Sequence, residues 1–208
     1  MIFFFLIFRK MLLELFRYFA KFPLWDNATK GIATKGESMM PEYAETLEGL
    51  ATMGERSLIP EIEHYVYGQS FDELKERLSK LTGSFLFADY GELDMQGDGR
   101  RSLQCTQRIA VTVAFRLSSS ADMLERIIAN DRSLELLARI HAQMMADSEL
   151  GRLEWMERDD LDRAEYVPFV SAELQSYGWT LMLSVMGSDI LDVHEMARKR
   201  MRGWSFDE

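Results

Sequence analysis

Hydrophobic and polar residues alternate along residues 103–117 more regularly than elsewhere in the chain. A period of two is that of a β-strand with one buried face, so this segment is predicted to be a long strand. Residues 179–186 alternate in the same way, and the short aromatic segment 84–90 lies between glycines. We expect strands 84–90 and 103–117 to pair antiparallel through a turn-rich tip at 94–101. The apolar positions of the central strand are Ile109, Val111, Val113, Phe115 and Leu117.

Helical spacing of apolar residues begins at Pro41 and is interrupted at Pro60, which breaks or restarts a helix. Beyond the proline, we expect the apolar helical face to continue. The residues that carry this continuation are Ile62, Tyr65 and Val66.

Further helices are predicted on both sides of the central strand. Residues 70–83 begin with Ser70 and Glu73 at the spacing of a capping box. After the central strand, the serines at 118–120 offer an N-cap. Two helical pieces then follow, over 121–131 and 133–147.

The order of these elements predicts the α+β class. We expect a small, mostly antiparallel β-sheet of about four strands packed against helices, with an extra N-terminal helical segment. The fourth strand is expected at Leu153–Arg158, followed by an acidic loop. We predict that residues 1–38 form an extension and linker, residues 39–190 the α+β domain, and residues 191–208 a tail.

Residues 1–22 combine an eight-residue apolar run with an amphipathic segment. The apolar run is too short to span a bilayer as a helix, and its positive charges follow it, unlike those of a signal peptide. The segment could lie on a membrane surface, dock on a partner or on the body of this protein, or result from an upstream start codon, since Met11, Met39 and Met40 are alternative starts. We favour an accessory helix or a start-codon artefact, and we expect that nothing downstream needs the segment.

Charge and cysteine content narrow the class of function. The formal net charge is -10, which argues against a broad nucleic-acid surface because such a surface needs clustered Lys and Arg. Cys105 is the only cysteine, so an intrachain disulfide cannot form, and a reducing compartment is the simpler setting.

The candidate catalytic and metal-ligating residues form no complete motif. Glu61 and His64 have the E-x-x-H spacing of half a di-metal site, but a second copy is missing. The calcium-loop pattern that starts at Asp94 fails at Gln96 and Cys105. The acidic residues Asp159, Asp160 and Asp162 fit a solvated loop. We therefore predict no catalytic, cofactor or metal residue, and we expect that the protein is not an enzyme.

The strand–helix–strand centre resembles the tail-terminator and head–tail neck proteins of tailed bacteriophages, of the Mu-like prophage type. The resemblance covers about residues 71–186 and rests on the order of the elements. In that family a helix precedes a hairpin, another helix crosses the sheet, and a late strand completes it. The segments that carry the resemblance are ELKERLSKLTGSFLFADYGELD, QRIAVTVAFRL, SLELLARIHAQMM and FVSAELQSYGWTLMLSV.

The resemblance implies a non-enzymatic ring, typically hexameric, that terminates the tail tube at the tail end or the head–tail junction. Its partners would be further copies of itself and the tail-tube and neck proteins, with no sequence-specific nucleic acid and no membrane. The expected location is the virion, assembled in the bacterial cytoplasm. A ring needs a heterologous interface. The candidate interface residues are Arg108, Thr112 and Arg116 on the central strand, and Asp98, Arg100 and Arg101 at the hairpin tip.

Two alternatives belong to other classes of protein. One is a membrane-associated accessory protein anchored through residues 1–22. The other is a cytoplasmic α+β domain that binds a small molecule, or an enzyme, with a pocket between sheet and helices. Its candidate residues are Glu61, His64 and the acidic cluster Asp159–Asp162.

Overall fold

The computed structural model describes residues 11–24, 38, 40–53, 57–68, 75, 82–97, 103–153 and 155–188. The helices in these residues are α1 (Met11–Ala20), α2 (Pro41–Met53), α3 (Met123–Glu149) and α4 (Arg158–Asp162). The strands are β1 (His64–Gly68), β2 (Gly83–Asp89), β3 (Leu93–Gly97), β4 (Leu103–Arg116), β5 (Glu165–Ser171) and β6 (Ser176–Ser188). The C-terminal tail expected from the sequence lies outside the described residues, and so does the expected linker apart from residue 38. The expected helix over 70–83 is described only at Lys75 and at its last two residues.

The strands form one mixed sheet in the order β1-β2-β4-β6-β5, and β3 pairs with the first part of β4. Only β1 and β2 run parallel among the described pairs; every other pair is antiparallel. The α+β class and the antiparallel pairing of 84–90 with 103–117 are therefore confirmed. The sheet has six strands rather than about four.

Two predicted elements are wrong. Residues 64–68 form strand β1 instead of continuing a helix, because their backbone pairs with β2 and places Tyr65 and Val66 on opposite faces of the sheet. The strand expected at Leu153–Arg158 is a turn that leads into α4, with the Met156 amide donating to the Leu153 carbonyl. The next strand is β5, Glu165–Ser171, and its first residues were expected to belong to the acidic loop.

Helix α3 is continuous over 27 residues, where two helical pieces were expected. Its N-cap is Asp122 rather than one of the serines at 118–120. The Asp122 carboxylate accepts from the Glu125 amide at 2.8 Å, and the Glu125 carboxylate accepts from the Asp122 amide at 3.1 Å. Because the junction between the two pieces contains neither proline nor glycine, the helix passes through it.

The main core lies between α3 and one face of the sheet. Strands β2, β4 and β6 contribute alternate residues to it, as the period of two predicts. The first two turns of α3 contribute little, since Ala129 is the first buried residue of the helix. The buried α3 side chains are Ala129, Ser133, Leu136, Leu137, Ile140, Met144 and Asp147.

Helix α1 is part of this core. Leu15 and Phe19 of α1, and Phe22 just beyond it, are at most 1% exposed and belong to the same cluster as the sheet residues. The hydroxyl of Tyr65 on β1 donates to the Phe16 carbonyl at 3.0 Å. The expectation that nothing downstream needs this segment is therefore wrong for residues 11–22. Among the described helices, including α1, none is both long and apolar enough to cross a membrane.

A bend at Gly91 lets the chain continue from β2 into β3 along the same side of β4. Gly91 has φ +47°, and a Cβ at this position would lie 2.3 Å from the Arg108 carbonyl oxygen. The Arg108 amide donates to the Glu92 carbonyl at 3.0 Å, so the pairing with β4 continues next to the bend. Glycine is needed here because the backbone is left-handed and the neighbouring strand is close.

Candidate functional site

The predicted interface residues of the central strand share one face of the sheet, the face opposite α3. Arg108 is exposed and lies 3.8 Å from the Asp94 carboxylate. Thr112 is 3% exposed and its hydroxyl bonds to the Thr180 hydroxyl at 2.7 Å, so it joins β4 to β6 within the sheet. Arg116 is half-buried at the end of β4, about 26 Å from Arg108 along the strand. The other three, Asp98, Arg100 and Arg101, lie outside the described residues.

This second face of the sheet has a covered part and an uncovered part. Phe85 and Phe87 on β2 are buried with their neighbours in a small second cluster. Towards β5 the face opens, where Val167 is 42% exposed and Met182 is 38% exposed. Ala110 stands opposite Met182 in the β4–β6 register. The uncovered part is therefore a strip of small and apolar side chains that also includes exposed Glu165, the register partner of Met182, and has Arg108 at one end.

The first two turns of α3 carry large apolar side chains on their solvent side. Met123 is 77% exposed, Leu124 63%, Ile127 52% and Ile128 45%. Positions three and four apart share a helix face, and the buried α3 residues lie on the other side of the helix. We call these four residues the α3 apolar face. Sequence reasoning missed it because residues 121–131 were predicted to be a short helix of their own, without a face being assigned to it.

A polar cluster among the described residues joins the end of α1, with Lys21 just beyond it, to α3. The Asp147 carboxylate is 3% exposed and accepts from Lys21 at 2.5 Å and from the Tyr18 hydroxyl at 2.9 Å through Oδ2. Its Oδ1 accepts from the Gln143 amide at 2.9 Å. The Lys21 ammonium also lies 3.5 Å from the centre of the Tyr18 ring. Sequence reasoning missed this cluster because Lys21 and Asp147 are 126 positions apart.

The pKa values of this cluster follow from burial and pairing. Burial alone raises the pKa of Asp147, but the hydrogen bonds from Lys21 and Tyr18 and the charge of Lys21 outweigh it, and the pKa is lowered. Burial lowers the pKa of Lys21 despite the opposing effect of Asp147. Burial and the charge of Asp147 raise the pKa of Tyr18, which stays protonated and donates to the carboxylate. The cluster is thus a charged pair with a neutral phenol.

The E-x-x-H pair predicted to lie one turn apart on a helix does not have that geometry. Glu61 precedes β1 and pairs with Arg139 of α3 at 2.8 Å, whereas His64 begins β1 and its Nε2 lies 2.9 Å from the Thr82 carbonyl. His141 also has protein partners on both ring nitrogens: the Tyr166 hydroxyl at 2.9 Å and the Leu161 carbonyl at 3.2 Å. This histidine ties α3 to α4 and β5.

The acidic run Asp159–Asp162 forms helix α4 rather than a loop. Asp160 is 5% exposed, and its carboxylate accepts from the Glu157 amide at the start of the helix. Asp162 pairs with Arg158 one turn earlier at 3.1 Å. In the part of the chain that the structure describes, three or more His, Cys, Asp or Glu side chains nowhere converge as a metal site would require.

Comparisons with protein-family models, with curated proteins and with solved structures give no match to this chain. Its function has therefore to be argued from its own residues.

Proposed function

We propose that this protein is a structural subunit of a homo-oligomeric ring, acting at the tail end or head–tail junction of a tailed bacteriophage. The family resemblance of residues 71–186 suggests the ring and its place in the virion. One observation on the described residues carries the homo-oligomeric part of the proposal. It is the α3 apolar face, for which the described part of the chain offers no intramolecular cover.

The size of the α3 apolar face favours a protein partner. The exposed parts of its four side chains amount to roughly 400 Å², within the range of the largest apolar patch on a typical monomer, and such patches are often functional. A stable interface buries about 800 Å² on each partner. The face would thus supply about half of one side of such an interface, with a polar rim for the rest.

The uncovered strip of the second sheet face is a suitable surface for a second copy to offer. It presents Val167 and Met182 beside exposed Arg108, while exposed Asp131 follows Ile127 by one turn at the border of the α3 apolar face. Apolar area thus meets apolar area, and Asp131 of one copy would face the Arg108 end of the strip on the next. Contacts between two different patches of the same chain are heterologous, and they close into a ring when the rotation between subunits allows it.

The chain offers a matched pair of leucines to test this proposal. Leu124 in the α3 apolar face and Leu150 at the opposite end of α3 are both 63% exposed. We expect Leu124→Gln to weaken self-association by about 1–2 kcal/mol per interface, a 5- to 30-fold rise in dissociation constant, because the leucine loses its apolar burial on the partner. Leu150→Gln is expected to leave association unchanged.

The measurement is a dilution series of each full-length protein by analytical ultracentrifugation. Circular dichroism of each variant provides the check on folding. Equal weakening by Leu124→Gln and Leu150→Gln would contradict the proposed contact, and so would a wild-type protein that stays monomeric at every concentration.

A further inference from the structure

A cavity of about 580 Å³ opens beside the Lys21–Asp147 pair, between α1 and the C-terminal part of α3. This volume is within the range of small-molecule sites, which is about 300–1,000 Å³. The proposed contact between subunits does not use it, since the α3 apolar face lies at the other end of the helix. The charged residues at its walls are Glu14, Arg17, Lys21, Asp147 and Arg152.

The only buried carboxylate among these residues is already neutralised. Both oxygens of Asp147 accept hydrogen bonds from protein donors, and its charge is balanced by Lys21. An anion that enters the cavity would therefore meet little repulsion from Asp147. The remaining charges are two guanidinium groups, Arg17 and Arg152, against the single carboxylate of Glu14. This local excess of positive charge contrasts with the net charge of -10 for the chain.

The two guanidinium groups retain unused hydrogen-bond donors. Within the described residues neither Arg17 nor Arg152 pairs with a carboxylate. Arg17 donates to the Thr46 hydroxyl at 3.2 Å, and its Nε is buried without any partner. A buried donor without a partner is rare in folded proteins, because burial removes the water that would otherwise accept its hydrogen bond. Because this Nε is closed to solvent, an oxyanion in the cavity would accept from the terminal amino groups of the guanidinium rather than from Nε.

Aromatic and aliphatic side chains form the rest of the wall. Tyr18 and Trp155 contact each other edge to face, with ring centres 5.8 Å apart, and Leu58 lies beside them in the lining. Flat apolar walls with a few polar groups at one end are typical of sites for small organic molecules. The guanidinium fork matches the oxygens of a carboxylate or phosphate group.

We propose that this cavity binds a small organic anion, with its carboxylate or phosphate oxygens at Arg17 and Arg152 and its apolar part against Trp155 and Leu58. The Lys21–Asp147 pair lies at the wall of the site and adds little net charge, so the positive charge that attracts the anion comes from the two arginines. The site makes the protein a ligand-binding subunit in addition to the structural role proposed above.

Ligand-detected NMR titrations of the full-length protein test this at fixed ionic strength. The probes are phenyl phosphate, benzoate and the neutral benzyl alcohol. We expect phenyl phosphate or benzoate to bind with a dissociation constant of about 0.1–1 mM, as for a ligand of this size, and benzyl alcohol to bind much more weakly. Comparison of the two anions identifies which oxyanion the site prefers.

Three arginine variants complete the test. Arg17→Gln and Arg152→Gln should each weaken binding of the preferred anion by about tenfold, because each removes a charge-assisted hydrogen bond. Arg163→Gln, which removes an exposed positive charge after α4, should leave binding within about twofold. Arg152 is exposed in a turn, so its substitution keeps the test valid even where Arg17→Gln disturbs the fold.

Absence of binding by both anions at millimolar concentrations would overturn the proposal. Binding that survives Arg152→Gln would overturn it as well, because Arg152 would then not hold the anion. Equal weakening by Arg152→Gln and Arg163→Gln would also overturn it, because the anion would then respond to overall charge rather than to this cavity. The oligomeric state of the protein is measured separately, so either proposal can fail while the other stands.

Discussion

Replacement of Asp147 by asparagine tests whether the Lys21–Asp147 ion pair stabilises the packing of α1 against α3. The substitution keeps the shape of the side chain and removes the charge that neutralises Lys21. Asp147 is 4% exposed in its side chain and Lys21 is 23% exposed, so the ammonium would be left partly buried without its partner. Breaking a fully buried ion pair costs about 3–5 kcal/mol. Because water reaches Lys21 in part, we expect about 2–3 kcal/mol of lost stability.

The assay is urea unfolding followed by circular dichroism at one protein concentration, since self-association would shift the apparent stability. Asp162→Asn is the matched control, because Asp162 is exposed and its surface pair with Arg158 is screened by water and contributes little to stability. Adding Lys21→Met to the Asp147→Asn variant should cost little or restore stability, since no unpaired charge then remains. Equal losses of stability in Asp147→Asn and Asp162→Asn would show that the buried pair with Lys21 holds α1 no more strongly than a surface ion pair does.

The same pair predicts a pH dependence. The folded-state pKa of Asp147 lies below its ordinary value, so the carboxylate contributes stability that is fully present above the unfolded pKa of about 3.9. This contribution is lost as the pH falls through the lower folded-state value. The difference in stability between wild type and Asp147→Asn should therefore be constant near neutrality and shrink in acid. A difference that grows in acid would contradict the sign.

Two further predictions concern residues that shape the fold. Phe19→Ala should lower the free energy of unfolding by about 3–5 kcal/mol in urea titrations, because it empties a fully buried site. Leu12→Ala on the same helix removes a side chain that is 46% exposed and should cost under about 1 kcal/mol. Similar losses in the two variants would mean that α1 does not pack as described. Gly91→Ala should lower the free energy of unfolding by about 2 kcal/mol, because a left-handed backbone and the nearby Arg108 carbonyl leave no room for a Cβ. Gly49→Ala has open space around it in α2 and should be neutral or stabilising. A neutral effect of Gly91→Ala would contradict the bend.

The long strands were predictable from sequence because their alternation is long enough to be unambiguous. β4 alternates over 14 residues, and β2 precedes it with only β3 and a turn-rich segment between them. β1 has only five residues, and in so short a segment an apolar pair such as Tyr65-Val66 fits a helix as well as a strand. β5 contains Pro168 and exposed side chains, as an edge strand does, and therefore lacks the alternation of a half-buried one.

The candidate sites were harder to predict than the fold. The α3 apolar face has ordinary helical spacing, and only the position of the sheet shows that the buried side of α3 begins at Ala129. The Lys21–Asp147 pair joins the first described helix to the end of the third, a contact that no local pattern encodes. Thr112 illustrates the opposite case, since its place on the second sheet face was predictable but its burial against Thr180 was not.

The proposed function requires that the protein assembles with itself through the α3 apolar face. The most direct measurement is the solution mass of the full-length protein by light scattering, with negative-stain images of the same sample. We expect a closed ring whose mass is a fixed multiple of 24.1 kDa and whose subunits separate when Leu124 and Ile127 are both replaced by glutamine. A monomer of 24.1 kDa at every concentration, or a ring unaffected by the double substitution, would contradict it.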